Sequence, residues 1–275
     1  MSEKYLFVGS DPEVQLLTPD NRVISAIDLI PGTKEAPFKT KHGSVQWDNI
    51  FAEFNSEPSD NVEDFVNNHK LIIKDLEDII KPLDLKLGYM ASVLADQSLL
   101  SDPRASLAGC DPDYSAWELA PNEPADYSIT NIRASGGHLH CSFHQADVEG
   151  TEGEDARISF VRAMDLVLGV PSVIHDNDTN RRQFYGKAGA FRPKDKSRGD
   201  AYNGVEYRTL SNFWLRSESL MKWAFNGVKT VHSSLKEWSE LAEEFREDII
   251  HTINTGDRDK AIYLCNRLGV NYAFN

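Results

Sequence analysis

"ASGGHLHCSFHQ", residues 134–145, places three histidines within seven positions directly after a glycine pair, in a chain of 275 residues that holds 8 histidines in all. Side chains of a β-strand alternate between its two faces. His138, His140, Ser142 and His144 would therefore line one face while Leu139, Cys141 and Phe143 line the other. The stretch reads as a strand with one polar face and one core face. Gly136 and Gly137, just ahead of it, let the backbone turn sharply or pass close to another segment where a Cβ would collide.

Polar pairs two residues apart recur in other strand-like stretches: Asp11 with Glu13, Glu53 with Asn55, and Glu206 with Arg208. One such pair is what any amphipathic strand shows. Four, with core-suited neighbours such as Val205 and Tyr207, suggest polar faces that converge. Convergence would crowd Asp11, Glu13, Glu53 and Glu206, and at an effective dielectric near 20 two charges about 4 Å apart repel by roughly 4 kcal/mol. A cation must then neutralise them. Carboxylate oxygens favour magnesium or manganese, and an admixed histidine suits manganese or zinc and serves magnesium as a minority ligand. Arg208 cannot ligate a cation, but its planar fork can grip a phosphate held by one.

Working outward, residues 5–8 lead into "GSDPEVQLL" as a first strand, and "VQWDNIFAEFN", residues 45–55, reads as another. Val62, Phe65, Val66, Ile72, Ile73, Leu76, Ile79 and Ile80 recur at helical spacing, with Ser59 or Asp60 as the cap and Pro82 as the stop. A second helix is expected over 155–168, closing at Gly169 with Pro171 beyond. A third starts at Ser211, and further helices follow from Ser234 and Asp257. Short strands among long helices, without strict alternation, predict an α+β fold with a mostly antiparallel sheet. No linker divides the chain, so residues 1–275 are read as a single domain.

The chain is 40% hydrophobic and has no run of 18 apolar residues, and "MSEKYLFVGSDPEVQ" lacks the order of a signal peptide. A cytoplasmic protein without a membrane partner is expected. Cys110, Cys141 and Cys265 are odd in number and show no CxxC spacing, which argues against a disulfide framework or a thiolate zinc site. A net charge of -14 argues against general nucleic-acid binding. Within that acidic chain Arg181, Arg182, Lys187, Arg192, Lys194, Lys196 and Arg198 face a single acid, Asp195. This basic island is either a solvated loop or a site for an anionic ligand such as a polyphosphate.

The order of these motifs carries a resemblance. Asp11-x-Glu13, "AEFN" at 52–55, "GGHLHCSF" at 136–143 and "GVEYRTLSNFWL" at 204–215 resemble the phage-encoded carboxylate–amine (COOH–NH2) ligases. So do "GTKEAPF" at 32–38, "GCDPDYSAW" at 109–117 and "YGKAGAFRP" at 185–193. More distantly the pattern is similar to glutamine synthetase and γ-glutamylcysteine ligase. The similarity spans roughly residues 5–215. It implies a curved antiparallel sheet whose concave face holds the active site, packed with helices as in the glutamine synthetase catalytic domain. It also implies Glu13, Glu53, His138 and Glu206, with Asp11, as ligands for Mg²⁺ or Mn²⁺, and His140 and Arg208 on ATP phosphates. Lys187 and Arg192 match a phosphate- or substrate-binding segment, and Lys34 and Arg133 are further candidates. ATP would activate a carboxylate as an acyl phosphate for attack by an amine, and Asp48 is put forward from its spacing as the base. The identities of both substrates stay open, as does the oligomeric state.

Other functions fit the same residues. A zinc hydrolase would use the histidine strand to activate water without ATP. A phosphotransferase of the same superfamily would stop at phosphoryl transfer, and a binding protein would hold nucleotide without turnover.

Overall fold

A computed structural model describes residues 6–106, 113–123, 130–143 and 150–272, apart from the side chains of 106, 150–152 and 198. His144, Cys110 and residues 109–112 of the "GCDPDYSAW" stretch lie outside the described residues. The histidine stretch forms the strand Leu139–Ser142, with Leu139 and Cys141 fully buried and His140 and Ser142 partly exposed, the expected alternation. It runs antiparallel between Phe7–Ser10 and Gly204–Tyr207 in a six-stranded sheet. Ala190–Lys194, Tyr114–Ser115 and Ala120–Pro121 continue that sheet in order. The register sets Gly9, His140, Glu206 and Arg192 in one row across four strands.

A second six-stranded antiparallel sheet is built around Glu13–Leu17, Phe51–Ser56 and Gly43–Asp48. Its register sets Glu13, Glu53 and Gln46 in a row of their own. The amino-terminal stretch is therefore two strands rather than one. Pro12 has no N–H for a ladder, so the first strand ends at Ser10 and the chain resumes at Glu13 in the other sheet. Glu13 N donates to Gly136 O (3.0 Å) and Phe54 N to Pro12 O (3.3 Å) across this seam. Together the sheets curl into a half-barrel packed with helices, the α+β class expected. Residues 45–55 likewise fold as a hairpin, turning at Asn49, whose φ of 54° is left-handed, an asparagine-tolerant conformation.

The helix Val62–Ile80 is capped by Asn61, one residue after Asp60 and two after Ser59, the expected caps: Asn61 Oδ1 accepts from Asp64 N at 2.9 Å. It buries Phe65, Val66, Ile72, Leu76 and Ile80 against Glu218–Ser233 and the Phe51–Ser56 strand. Pro82 does not stop the chain outright, because a 3₁₀ turn, Lys81–Leu83, carries it through. The larger departure lies at Gly169 and Pro171. Helix Gly150–Met164 passes through a π-helical stretch, Asp165–Gly169, into Val170–His175. The wider π turn shifts the hydrogen-bond ladder, so Pro171 falls at the start of a new α segment where its missing N–H is tolerated. Gly153–His175 is long and apolar enough to cross a membrane by length and composition, and 72% of its most apolar window is buried inside the protein. Ser211 caps a 3₁₀ turn, and Ser217 caps the helix that follows it, Glu218–Ser233. Helices Leu235–Glu244, Arg246–Thr255 and Arg258–Leu268 complete the carboxy-terminal layer, the last capped by Asp257 as expected.

One buried carboxylate ties that helical layer to the first sheet. Asp165 accepts hydrogen bonds from Trp117 Nε1 (2.7 Å), Tyr207 Oη (2.7 Å), Gly189 N (2.5 Å) and Thr209 Oγ1 (3.2 Å). Burial pushes its pKa up to about 6 against the pull of those donors. Its ligands flank Glu206 and Arg208, so Asp165 fixes the strand that carries them.

Candidate functional site

The two glycines have distinct jobs. A Cβ on Gly136 would sit 2.3 Å from His138 Nε2, and one on Gly137 would sit 2.1 Å from Ser211 O. Gly136 leaves room for the His138 ring, and Gly137 admits the close approach of the Ser211 backbone. His138 is thereby directed at the seam, where its Nδ1 lies 3.0 Å from Asp11 Oδ1 and 3.7 Å from Glu206 Oε1. His140 Nε2 lies 3.1 Å from the same Asp11 oxygen, near enough for charge attraction but poorly aligned for a hydrogen bond.

Two groups of donors meet at this seam. Ligand atoms of Asp11, His140 and Glu206 lie within 4.8 Å of one another, with His138 alongside. Ligand atoms of Glu13, Asp48 and Glu53 form a second group within the same limit. Sequence spacing had offered Asp48 as a base; the hairpin instead swings it beside Glu53, among oxygens able to ligate. Both sets fit divalent cations: the first mixes imidazole with carboxylate, the second offers oxygen alone.

The electrostatics of the two groups differ. Burial alone would raise the Asp11 carboxyl, but His140 and His138 hold it well below the usual carboxylate range. Burial would also raise Glu206, yet Arg208 keeps it below that range. Besides the close Arg208 pair, Glu206 accepts from Arg192 Nη1 (3.0 Å) and faces Lys194 Nζ at 3.1 Å. Glu206 was expected in a repulsive acidic cluster and lies instead among cations. The second group is the repulsive one. Burial and Asp48 push Glu13 up to about 8, and burial with Asp11, Asp48 and Glu13 drives Glu53 well above its ordinary value. Asp48 is raised by burial, with Lys34 opposing. His138 is lowered, first by burial and then by Arg208; His140 would be lowered by burial, but Asp11 raises it.

The basic island divides. Arg181 is fully buried and donates to the carbonyls of Ser135 (2.8 Å), Thr209 (2.7 Å) and Leu210 (2.8 Å), and Arg182 donates to those of Asp176 and Asp178. These two hold backbone. Arg133 is also buried, donating to the carbonyls of Ala105, Thr130 and Ile132. Lys187 is exposed, and its carbonyl accepts from Thr209 Oγ1; Lys34 is exposed near the second group. Arg192 and Lys194 reach the site. Lys194 was not singled out, although it sits two residues from Arg192 on one strand and so shares its face. Tyr185, inside the quoted "YGKAGAFRP", was also missed. Its Oη lies 2.9 Å from His138 Nε2 and accepts from Arg208 Nη2.

Beside the first group opens a cleft of about 680 Å³ whose lining includes Phe7, Ser10, His140, Phe143, Lys196 and Tyr202. A lining that mixes aromatic rings with a lysine and a histidine suits a ligand that carries both a flat ring and an anionic group.

Residues 130–267, half of the chain, match the family described as phage phiEco32-like COOH.NH2 ligase-type 2. The match includes His138, His140, Arg192, Glu206 and Arg208, and it runs beyond the Leu215 limit of the recognisable motifs. No curated protein sequence matches the chain. Among solved structures, the crystal structure of a novel glutamine synthase homolog aligns with 95% of this chain and 66% of its own, at 11% identity and a TM-score of 0.41. A bifunctional glutathione synthetase from Pasteurella multocida aligns with 96% of this chain and 49% of its own, at 11% identity and TM-score 0.44. Ligand-free GmaS aligns with 97% of this chain and 69% of its own, at 13% identity and TM-score 0.40. The chain thus spans about two thirds of the first of these proteins and half of the second.

Proposed function

The chain belongs to the phage phiEco32-like COOH.NH2 ligase-type 2 family, and from that premise we propose that it joins a carboxylate to an amine using ATP, through an acyl phosphate. The observation that carries this reading is the pair of donor groups, one mixed and one all-oxygen, on either side of the Asp11–Pro12 seam, the first of them bordering the cleft through His140. Asp11 and Glu206 would hold one divalent cation with His138, whose Nδ1 lies 3.0 Å from Asp11 Oδ1 and 3.7 Å from Glu206 Oε1, and Glu13, Asp48 and Glu53 would hold another, Mg²⁺ or Mn²⁺ in each case. Such cations, when bound, neutralise phosphate oxygens and so favour phosphoryl transfer.

The chain's own residues supply the rest. Phe7, Phe143 and Tyr202 can flank a nucleobase in the cleft, with His140 and Lys196 toward the phosphates. Arg192, Lys194 and Arg208 now neutralise Glu206. A cation sharing Glu206 would free part of that cationic arc for the transferring phosphoryl group. A carboxylate oxygen attacks the γ-phosphorus and ADP leaves; an amine then attacks the acyl carbon and phosphate leaves as the C–O bond breaks. The amine also gives up a proton, which the departing phosphate or water can take. Asp48, once offered as its acceptor, reads better as a ligand, since its oxygens face Glu13 and Glu53.

Isothermal titration of a non-hydrolysable ATP analogue with Mg²⁺, with Mn²⁺ and with neither tests the proposal. Cation-dependent binding, abolished in His138→Ala, is expected, followed by ADP release when candidate carboxylates and amines are screened. Absence of binding with either cation would overturn it.

A further inference from the structure

The row Glu13, Glu53, Gln46 contains one residue with a different chemistry. Gln46 stands directly opposite Glu53 in the hairpin register, is 4% exposed, and donates from Nε2 to Glu53 Oε1 at 2.9 Å. Its carbonyl oxygen, Oε1, is buried and has no hydrogen-bond partner among the described residues. Exchanging the amide's O and N does not resolve this. It would take the amide donor away from Glu53 and strand an N–H₂ instead, so it only moves the deficit. A buried amide oxygen without a donor loses about 1–3 kcal/mol of hydration, a deficit usually removed by a partner the protein acquires. The surroundings say which partner. The same amide is bonded to Glu53, which belongs to the oxygen group with Glu13 and Asp48, so the missing partner is a positive group rather than another acceptor.

We infer that Gln46 Oε1 is a fourth protein oxygen for the cation held by Glu13, Asp48 and Glu53. This rests on the cation reading proposed above and adds to it. An amide oxygen extends the oxygen set without a fourth negative charge, and its own N–H orients Glu53 at the same time. The result is a hard site of four oxygens beside a softer one that includes imidazole. The two cation sites then differ in kind: the Gln46 site takes Mg²⁺, Ca²⁺ or a lanthanide, and the histidine site also accepts Zn²⁺.

Europium provides a probe that needs no turnover, because its luminescence lifetimes in H₂O and D₂O count the waters bound to the ion. Eu³⁺ alone is titrated into the full chain and into Gln46→Ala. If Gln46 is a ligand, the variant binds Eu³⁺ about tenfold or more weakly, at least what loss of an outer-shell partner does, and the bound ion carries one additional water. An unchanged water count with intact folding overturns the assignment, because a residue that only orients Glu53 leaves the inner sphere full. Gln46→Asn, which keeps an amide but shortens it, gives the same readout if the alanine variant fails to fold. Failure of wild type to bind Eu³⁺ would be a different result, removing the cation reading of Glu13, Asp48 and Glu53 altogether.

Discussion

Glu13→Gln should make the cation-free protein more stable while removing much of its response to divalent cations. Oxygens of Glu13, Asp48 and Glu53 lie within 4.8 Å of one another. At an effective dielectric near 20, one ionised pair at that separation repels by about 3.5 kcal/mol. Burial first, and Asp48 with it, raise the pKa of Glu13 to about 8. An acid whose folded pKa is raised contributes stability below its unfolded value and loses it as pH rises through the folded one. At pH 7 the folded state keeps a proton that the unfolded state has released, which costs about 3 kcal/mol. Glutamine is neutral and still offers an oxygen to Gly136 N, which now donates to Glu13 Oε2 at 2.8 Å. A gain of about 3 kcal/mol corresponds to a rise of about 5 °C in Tm for a chain of this length. Calorimetric melts at pH 7 in chelator, then with saturating Mg²⁺, provide the assay. Wild type should gain roughly 3 kcal/mol from a cation at about 100 times its Kd, and the variant far less. A Tm in chelator that falls, or does not move, would refute the claim that burial and Asp48 make an ionised Glu13 costly in the folded state.

Glu206→Ala should behave in the opposite sense. It leaves Arg208, Arg192 and Lys194 without their shared counter-charge at a site 1% exposed, so a loss of about 3–5 kcal/mol is expected in urea melts. Unchanged stability would mean the cationic arc relaxes into solvent. His69 is fully buried, its Nδ1 2.6 Å from Phe65 O and its Nε2 2.5 Å from Ser10 Oγ. Burial pushes its pKa down to about 4. A lowered pKa leaves its stabilisation intact above about 6.5, and about 3 kcal/mol should be lost as pH falls to 4. Denaturation midpoints between pH 7 and 4 should therefore flatten in His69→Gln, and parallel profiles would exclude His69 as the titrating group.

The first donor group was legible because a strand's period of two is written in the sequence. Leu139 and Cys141 mark the core side, which leaves His138 and His140 on the other, and Glu206 with Arg208 follows the same logic. Signals for the two broken strands were also present: Pro12 cannot serve a ladder, and Asp48-Asn49 is a turn dipeptide. Both lay inside otherwise plausible strand patterns. Gln46, Lys194 and Tyr185 were hidden for another reason. Their roles follow from cross-strand register and a helix end, which bring together residues that no local spacing connects. Charge counting misread Arg181 and Arg182, because a run of arginines looks the same whether it faces a ligand or holds three backbone segments together. At Pro171 a sound helix-stop rule met a π turn, which exists only through the tertiary packing around Asp165.

The pairing of Phe7–Ser10 with Leu139–Ser142 joins residues 135 apart in the chain. The order in which a ribosome delivers them then matters. At roughly 5–20 residues per second, the first strand waits on the order of ten seconds for its partner. Throughout that interval Leu6 and Val8, core residues once folded, have the Val8–Ser59 bridge within reach, but the side that takes Leu139–Ser142 is an open edge, the kind of segment that associates with other chains. Closing so long a loop also slows the pairing itself. The site is therefore among the last parts of the molecule to exist, since neither Asp11 nor Glu13 can meet the histidines until the middle of the chain has been made.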